Sequence, residues 1–328
     1  MDKVITLAHG NGGRLMHELI ESLRRHFSNK ILDEMCDAAE LQIAKTRLAF
    51  TTDSYVVKPL FFPGGDIGKL AVCGTVNDLS MKGAVPLFLS LALVIEEGFS
   101  FAELEKIALS IKKEAAGAKV TIVTGDVKVV ERGAVDKLFI NTAGIGLIKY
   151  PGRIGAKVRP GEVIIINGGI AEHGMAILNA RENLKFSANI KSDCRSLNSE
   201  AQKCLAASPR ISVMRDLTRG GLATIVNEIA QASRVSIILD EQAIPIKPAV
   251  AKLCDILGFD PLYVANEGKF IAFVPEKDAG KVRRALGKAA RIIGEVVPRR
   301  GAPVSLKTKI GTERILPLLE DDQLPRIC

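Results

Sequence analysis

Several carboxylates in this sequence stand beside glycine, asparagine or threonine at the ends of apolar runs. They are Asp53 in Thr52-Asp53, Asp66 in Gly65-Asp66, Asp78 in Asn77-Asp78, Asp126 in Gly125-Asp126, and Asp216 in Asp216-Leu217-Thr218-Arg219-Gly220-Gly221. Oxygen ligands of this kind suit a hard cation such as Mg²⁺ shared with nucleotide phosphates. Backbone N–H groups in glycine loops and at helix N-termini can hold those phosphates. Any one of these aspartates alone is more commonly a helix cap or turn residue; as a set at strand ends they point to metal-nucleotide chemistry. A Walker A loop is not the means, because Pro63-Gly64-Gly65-Asp66-Ile67-Gly68-Lys69-Leu70 has proline at the first glycine position and leucine where Ser or Thr is needed.

Lys128 follows Asp126 by two residues, so on an extended segment both project to one side. A lysine there could neutralise a transferring phosphoryl group; a surface pairing with Glu131 fits the spacing nearly as well. Glu267, in Asn266-Glu267-Gly268-Lys269 ahead of the apolar run Phe270–Val274, could serve as a general base or equally close a turn. The loop His9-Gly10-Asn11-Gly12-Gly13 could fold over a nucleotide or simply connect a strand to a helix. The chain ends Leu324-Pro325-Arg326-Ile327-Cys328. A thiol on a terminal tail can be modified at one place and processed at another.

The elements that must position these groups alternate as strands and helices, which indicates mixed α/β layers. Expected strands are Val4–Leu7, Leu48–Thr52, Val120–Thr124, Val163–Ile166 and Phe270–Val274. A helix is expected through Leu15, Leu19, Leu23 and Phe27, and others over Ile67–Met81, Ala171–Arg181, Gly221–Ala232 and Pro248–Leu257. Tyr150-Pro151-Gly152-Arg153 and Pro160-Gly161 punctuate the middle. They divide the chain into an N-terminal domain (1–150) and a C-terminal α/β domain (151–315), followed by an acidic, proline-bracketed tail (316–328). From Pro317 onward that tail could reach roughly 40 Å if extended.

At 328 residues, 47% apolar and 25% charged, the chain reads as globular with ample core. The longest apolar run, Leu87–Ile95, is broken by Ser90 and is too short to span a bilayer. The first residues lack a signal-peptide pattern, so the expectation is a cytoplasmic protein without membrane association. Six cysteines without C-x-x-C spacing read as reduced thiols, and four scattered histidines show no zinc pattern. The net charge of +8 gathers at Lys281, Arg283, Arg284, Lys288, Arg291, Arg299 and Arg300. Aromatics are 5% and none interleave with that cluster, which favours a solvated helix face over nucleic-acid binding.

The stretches LAHGNGG, TTDSYVV, FFPGGDIGKLAVCGTVNDLSMKGA, TGDVKVVERG, INTAGIG, DLTRGGLATIVNEIA, LGFDPLYVANEGK and the terminal PRIC resemble the HypE family of hydrogenase maturation factors. That family belongs to the superfamily of aminoimidazole ribonucleotide synthetase, selenophosphate synthetase and thiamine-monophosphate kinase. The resemblance implies a two-domain fold of that type, with N-terminal sheets pairing across a homodimer into a β-barrel. It implies an ATP-dependent carbamoyl dehydratase that converts a carbamoyl group on its terminal cysteine to a thiocyanate, the source of a cyanide ligand. Implied partners are a carbamoyltransferase, HypF, and a scaffold complex of HypC and HypD.

The same resemblance implies Cys328 as carrier, Glu267 as base and Lys128 as the phosphoryl-stabilising cation. It assigns Mg²⁺ to Asp53, Asp78 and Asp216, and ATP contacts to Gly10, Gly12, Gly13, Asp66, Lys69, Asn77, Gly125, Asp126, Thr218 and Gly220. Asn11 stands where a small residue is usual, and Val127 where a threonine is. A superfamily small-molecule kinase or synthetase is the alternative, and a non-catalytic nucleotide-binding scaffold a third reading. A selenophosphate synthetase would need a reactive Cys near the N-terminus, and none precedes Cys36.

Overall fold

The structure, a computed structural model, describes residues 4–10, 12–184, 186, 189–319, 324 and 327–328. Helix α1 (Arg14–Phe27) leads into strands β1 (Ala39–Ile43), β2 (Thr46–Tyr55), and the short pair β3 (Phe61–Phe62) and β4 (Gly65–Asp66). There follow α2 (Ile67–Met81), β5 (Ala84–Glu96), α3 (Phe101–Ala118), β6 (Thr121–Val130) and β7 (Leu138–Ile148). The five longer strands form one sheet in the order β1-β2-β7-β5-β6.

Helix α2 has the bounds expected from its sequence. Asp66 caps it, with Oδ1 accepting from Gly68 N at 2.8 Å and Lys69 N at 3.0 Å, and Gly83 at φ +80° lies just beyond its end. Its apolar residues are buried on all sides, so it forms the spine of the N-terminal core against Tyr55, Leu89, Leu138 and Ile140 of the sheet and Ile107 and Ile111 of α3.

The second half contains β8 (Glu162–Ile166), α4 (Glu172–Arg181), α5 (Asn198–Ala207), β9 (Val213–Asp216), α6 (Gly221–Ser233), β10 (Ser236–Asp240) and α7 (Pro248–Leu257). It continues through β11 (Phe270–Pro275), α8 (Glu276–Leu286), β12 (Arg291–Val297), β13 (Val304–Lys307) and β14 (Glu313–Ile315). Its sheet runs β14-β13-β10-β12-β8-β11-β9. Alternation along the strands feeds two cores. Ile164, Ile166, Ile271 and Phe273 meet Leu222, Val226 and Ile229 of α6, while Ile165, Phe270, Ala272 and Val274 meet Ala279 and Val282 of α8. Strands buried on both faces read as continuous apolar runs for this reason.

Two expectations are corrected. Val4–Leu7 is not a strand: Leu7–Gly10 form a 3-10 turn, and Val4, Ile5 and Leu7 are exposed, with no strand beside them among the described residues. The segment after Ile315 is not free from residue 316. Leu316 is fully buried, its N–H donates to Val304 O at 3.1 Å, and its carbonyl accepts from Asn227 Nδ2 at 2.9 Å. Tyr263 Oη donates to Pro317 O at 2.8 Å, and Arg14 N to Leu319 O at 3.0 Å. Asn11 and residues 320–323, 325 and 326 lie outside the described residues. Among those described, no helix is long and apolar enough to cross a membrane.

Candidate active site

A cleft of about 1780 Å³ opens between the two halves, lined among others by Gly12, Asp53, Asp78, Asp216, Thr218, Arg219, Glu267 and Cys328. Three elements deliver its carboxylates. On β2, Ala49, Thr51 and Tyr55 are buried while Thr52 and Ser54 are exposed, so Asp53 points inward by alternation. Asp78 comes from the last turn of α2, with Oδ2 accepting from Thr51 Oγ1 at 2.8 Å. Asp216 ends β9, directly before the Thr218–Gly221 loop.

Burial, then the neighbouring charges of Asp216, Asp37 and Asp53, push Asp78 well above the usual carboxylate range. Burial and Asp37 raise Asp216 against the opposing charge of Arg215, and burial raises Asp53 against Arg219. Among the described residues, no group of three or more His, Cys, Asp or Glu is arranged to hold a metal by itself. Asp53, Asp78 and Asp216 nevertheless fit Mg²⁺ as it is held with nucleotides, by one or two carboxylates with phosphate oxygens and water completing the shell. Their mutual repulsion is what a divalent cation relieves.

Glu267 lies on the turn before β11 and is 3% exposed. Its backbone is held from two sides. Asp193 accepts from Glu267 N and Gly268 N at 3.2 Å each, and Asn77 Nδ2 donates to the Glu267 carbonyl at 3.2 Å. A side chain at Gly268 would run into the Asp193 carbonyl, so this close turn needs glycine. Glu267 Oε1 is buried without a hydrogen-bond partner. Burial first, then Asp216, Asp193 and Asp53, raise its pKa well above the ordinary value, and Arg219 opposes them.

Ile327 and Leu324 are buried, 6% and 7% exposed, so these two residues lie within the fold. Val56 N–H donates to Cys328 O at 3.1 Å, and the Ile327 carbonyl accepts from His173 Nε2 at 2.6 Å. Burial pushes the Cys328 thiol up to about 12, with Arg219 opposing and Glu267, Asp53 and Asp216 adding. Cys328 is in turn the largest influence on Arg219, raising it against burial.

Not every expected contact lines this cleft. The Asn77 amide is committed to the backbone, donating to Arg195 O and Glu267 O at 3.2 Å each and accepting from Leu197 N at 2.7 Å. These bonds make it a clamp between backbone segments, and it is not among the residues that line the cleft. Asp66 is an N-cap, and Lys69 Nζ donates to Gly64 O at 3.2 Å. Gly125, Asp126 and Lys128 sit within β6, the edge strand, away from the cleft lining. Lys128 pairs there with Asp126 at 2.7 Å, not with Glu131, and both are exposed. Of the glycine loop, Gly12 reaches the cleft. A Cβ on it would come within 2.9 Å of the Arg219 backbone, so the loop rests directly on the Thr218–Gly220 turn. Gly10 is exposed, and Gly13 and Gly220 are buried.

Arg219, Asp193 and His173 were not legible as site residues. Arg219 carried a signal, a cation between threonine and two glycines; the other two became visible only through contacts distant in sequence.

Residues 35–148 match the N-terminal domain of AIR synthase related proteins, and residues 159–307 the C-terminal domain. The chain is 47% identical over 337 residues to the carbamoyl dehydratase HypE of Rhodobacter capsulatus, covering 100% of this chain and 99% of that one. Among solved structures it is similar to a HypE–HypF complex, at TM-score 0.88 and 44% identity, covering 94% of this chain and 100% of that one. It is also similar to a hydrogenase maturation protein HypE in complex with ATP, at TM-score 0.83 and 46% identity, covering 99% and 100%.

Proposed function

The chain belongs to the HypE family of AIR synthase related proteins, and on that premise we propose that it is an ATP-dependent carbamoyl dehydratase acting on its own Cys328. The product is an S-cyanate that supplies the cyanide ligand for the iron centre of a nickel–iron hydrogenase. One observation carries the reading: Cys328 is seated in the same cleft as the buried, unpartnered Oε1 of Glu267.

An amide oxygen is a poor leaving group and phosphate a good one. The carbamoyl oxygen attacks the γ-phosphorus of ATP and releases ADP, while an N–H proton passes to Glu267. The C–O bond then breaks, phosphate leaves with the remaining N–H proton, and the S–C≡N group forms. Glu267 must enter as carboxylate, the form that Arg219 favours. Asp53, Asp78 and Asp216 would hold Mg²⁺, which when bound neutralises phosphate charge. Gly12 and Thr218 line the same cleft, and with their neighbours Gly13 and Gly220 they would receive the phosphates.

A thiol raised to about 12 is a poor nucleophile where it docks. Carbamoyl loading therefore belongs outside the cleft, at a carbamoyltransferase of the HypF kind, and delivery at a HypC–HypD scaffold. Val123, Val127 and Val129 are 57–68% exposed along β6. That unpaired apolar edge supports a homodimer in which Lys128 and Asp126 of one copy serve the ATP site of the other.

Intact mass tests the reading. Carbamoyl phosphate, the carbamoyltransferase and ATP should add one carbamoyl group at Cys328, and Mg-ATP should then remove one water. If the loaded protein keeps its water, the dehydratase reading fails. If a Cys328→Ala variant phosphorylates a free small molecule at full rate, the kinase alternative takes its place.

A further inference from the structure

Leu324 and Ile327 do not rest on a featureless surface. Both meet the first turn of α4, where three consecutive residues perform separate tasks. His173 Nε2 lies 2.6 Å from the Ile327 carbonyl, which can only accept, so that nitrogen carries the proton. Nδ1 is then the acceptor, and Ser192 Oγ, 2.8 Å away, supplies its proton. Ser192 is itself held, with Oγ accepting from Cys194 N at 3.0 Å and its N–H donating to Pro63 O at 2.8 Å. The Phe62 ring meets the imidazole edge-on, with centroids 5.7 Å apart. Gly174 makes room for the second anchor: a Cβ there would lie 3.1 Å from Leu324 Cδ1 and 2.5 Å from Val264 Cγ1. Glu172 leaves the contact to its neighbours, pairing with Lys247 at 2.5 Å.

We propose that this turn is the receptor for the carboxyl-terminal segment, and that His173 is the positioning residue that sets the register at which Cys328 meets Glu267. The assignment rests on the dehydratase reading for its purpose but not for its geometry. Successive carbonyls of an extended chain point to opposite sides. Here Ile327 O is taken by His173 and Cys328 O by Val56 N–H, so both translation and rotation of the last two residues are defined. The contacts that define the register are made to backbone carbonyls and apolar side chains, so they do not depend on whether the sulfur carries a proton, a carbamoyl or a cyano group. The donor is neutral, because burial holds the His173 ring below its ordinary pKa. An uncharged donor leaves the segment releasable, as a carrier needs.

The test is single-turnover dehydration of the carbamoyl-loaded full chain with Mg-ATP, for wild type, His173→Phe and Ile327→Ala. We expect both variants to load and to bind ATP as wild type does, and to dehydrate at least tenfold more slowly. A glycine inserted between Ile327 and Cys328 leaves the receptor intact but moves the sulfur by one residue, and should lose dehydration to a similar degree.

A spectroscopic signature separates positioning from mere folding. The His173 Nε2–H proton resonance should be present in the full chain and absent, or exchanged to the other tautomer, when residues 324–328 are removed. Should His173→Phe fail to fold, the tail-side variants and this resonance carry the test. Wild-type dehydration rates in His173→Phe and Ile327→Ala, or a resonance indifferent to the tail, would overturn the assignment. If wild type itself loads without losing water, the dehydratase reading falls, while the resonance still decides whether the receptor exists.

Discussion

Asn77 and Glu267 are 190 positions apart in sequence and joined by a hydrogen bond from Asn77 Nδ2 to the Glu267 carbonyl at 3.2 Å. The same amide holds Arg195 and Leu197 of the segment that also presents Asp193 to the Glu267 turn. One buried side chain on the spine helix thus ties the Glu267 turn to the N-terminal core. Replacing Asn77 by Ala leaves several buried backbone groups unsatisfied and should cost about 3 kcal/mol in urea unfolding. Dehydration should fall while nucleotide affinity stays near wild type. A large loss of ATP affinity with unchanged stability would return Asn77 to the nucleotide.

Glu267→Gln keeps the shape and removes the charge. Dehydration should drop by about 10² to 10⁴ without affecting carbamoyl loading. A carboxyl whose folded pKa is raised destabilises the fold once pH passes its unfolded value, so this variant should melt higher than wild type at pH 8. Equal melting temperatures would show that the carboxylate is relieved in solution.

His173 supplies the pH prediction. Its folded pKa lies below 6.5 because burial disfavours the imidazolium. Below pH 6.5 the unfolded chain takes up a proton that the folded ring refuses, so stability is complete above that pH and declines as pH falls toward the folded value. The slope from this one group is at most about 1.4 kcal/mol per pH unit. Other buried carboxyls titrate in the opposite sense, so the measurement is the difference between wild type and His173→Gln from pH 5 to 7.5. Parallel curves would rule the prediction out.

Removing divalent metal tests the carboxylates. ADP with Mg²⁺ at a hundred times its dissociation constant should stabilise the protein by about 2.7 kcal/mol. EDTA, or Asp216→Asn, should abolish most of that increment. Full stabilisation by ADP in EDTA would take Mg²⁺ away from Asp53, Asp78 and Asp216.

Lys128→Ala should leave stability within about 0.5 kcal/mol of wild type, because its pair with Asp126 is solvent-exposed. Dehydration should nevertheless fall at least tenfold. Mixed dimers of Lys128→Ala with Glu267→Gln should regain activity if the lysine serves the other copy. No recovery, with exchange of subunits demonstrated, would confine Lys128 to its own chain or to the surface.

Local pattern determined much of this protein. Helix α2 was legible at both ends because capping and burial act within a few residues, and β8 and β11 because apolar runs report burial on both faces. Polar residues at the ends of apolar runs singled out Asp53, Asp78 and Asp216, and all three line the one cleft. The tertiary structure alone decided which of the marked residues meet. It placed Lys128 on an edge strand, engaged the Asn77 amide with distant backbone, and anchored residues 316–319 where a free tail was expected. His173 became a docking residue through a carbonyl 154 positions away. Such contacts depend on how two sheets and the helix between them close on each other, and a hydrogen bond across that closure leaves no period or spacing in the sequence from which to read it.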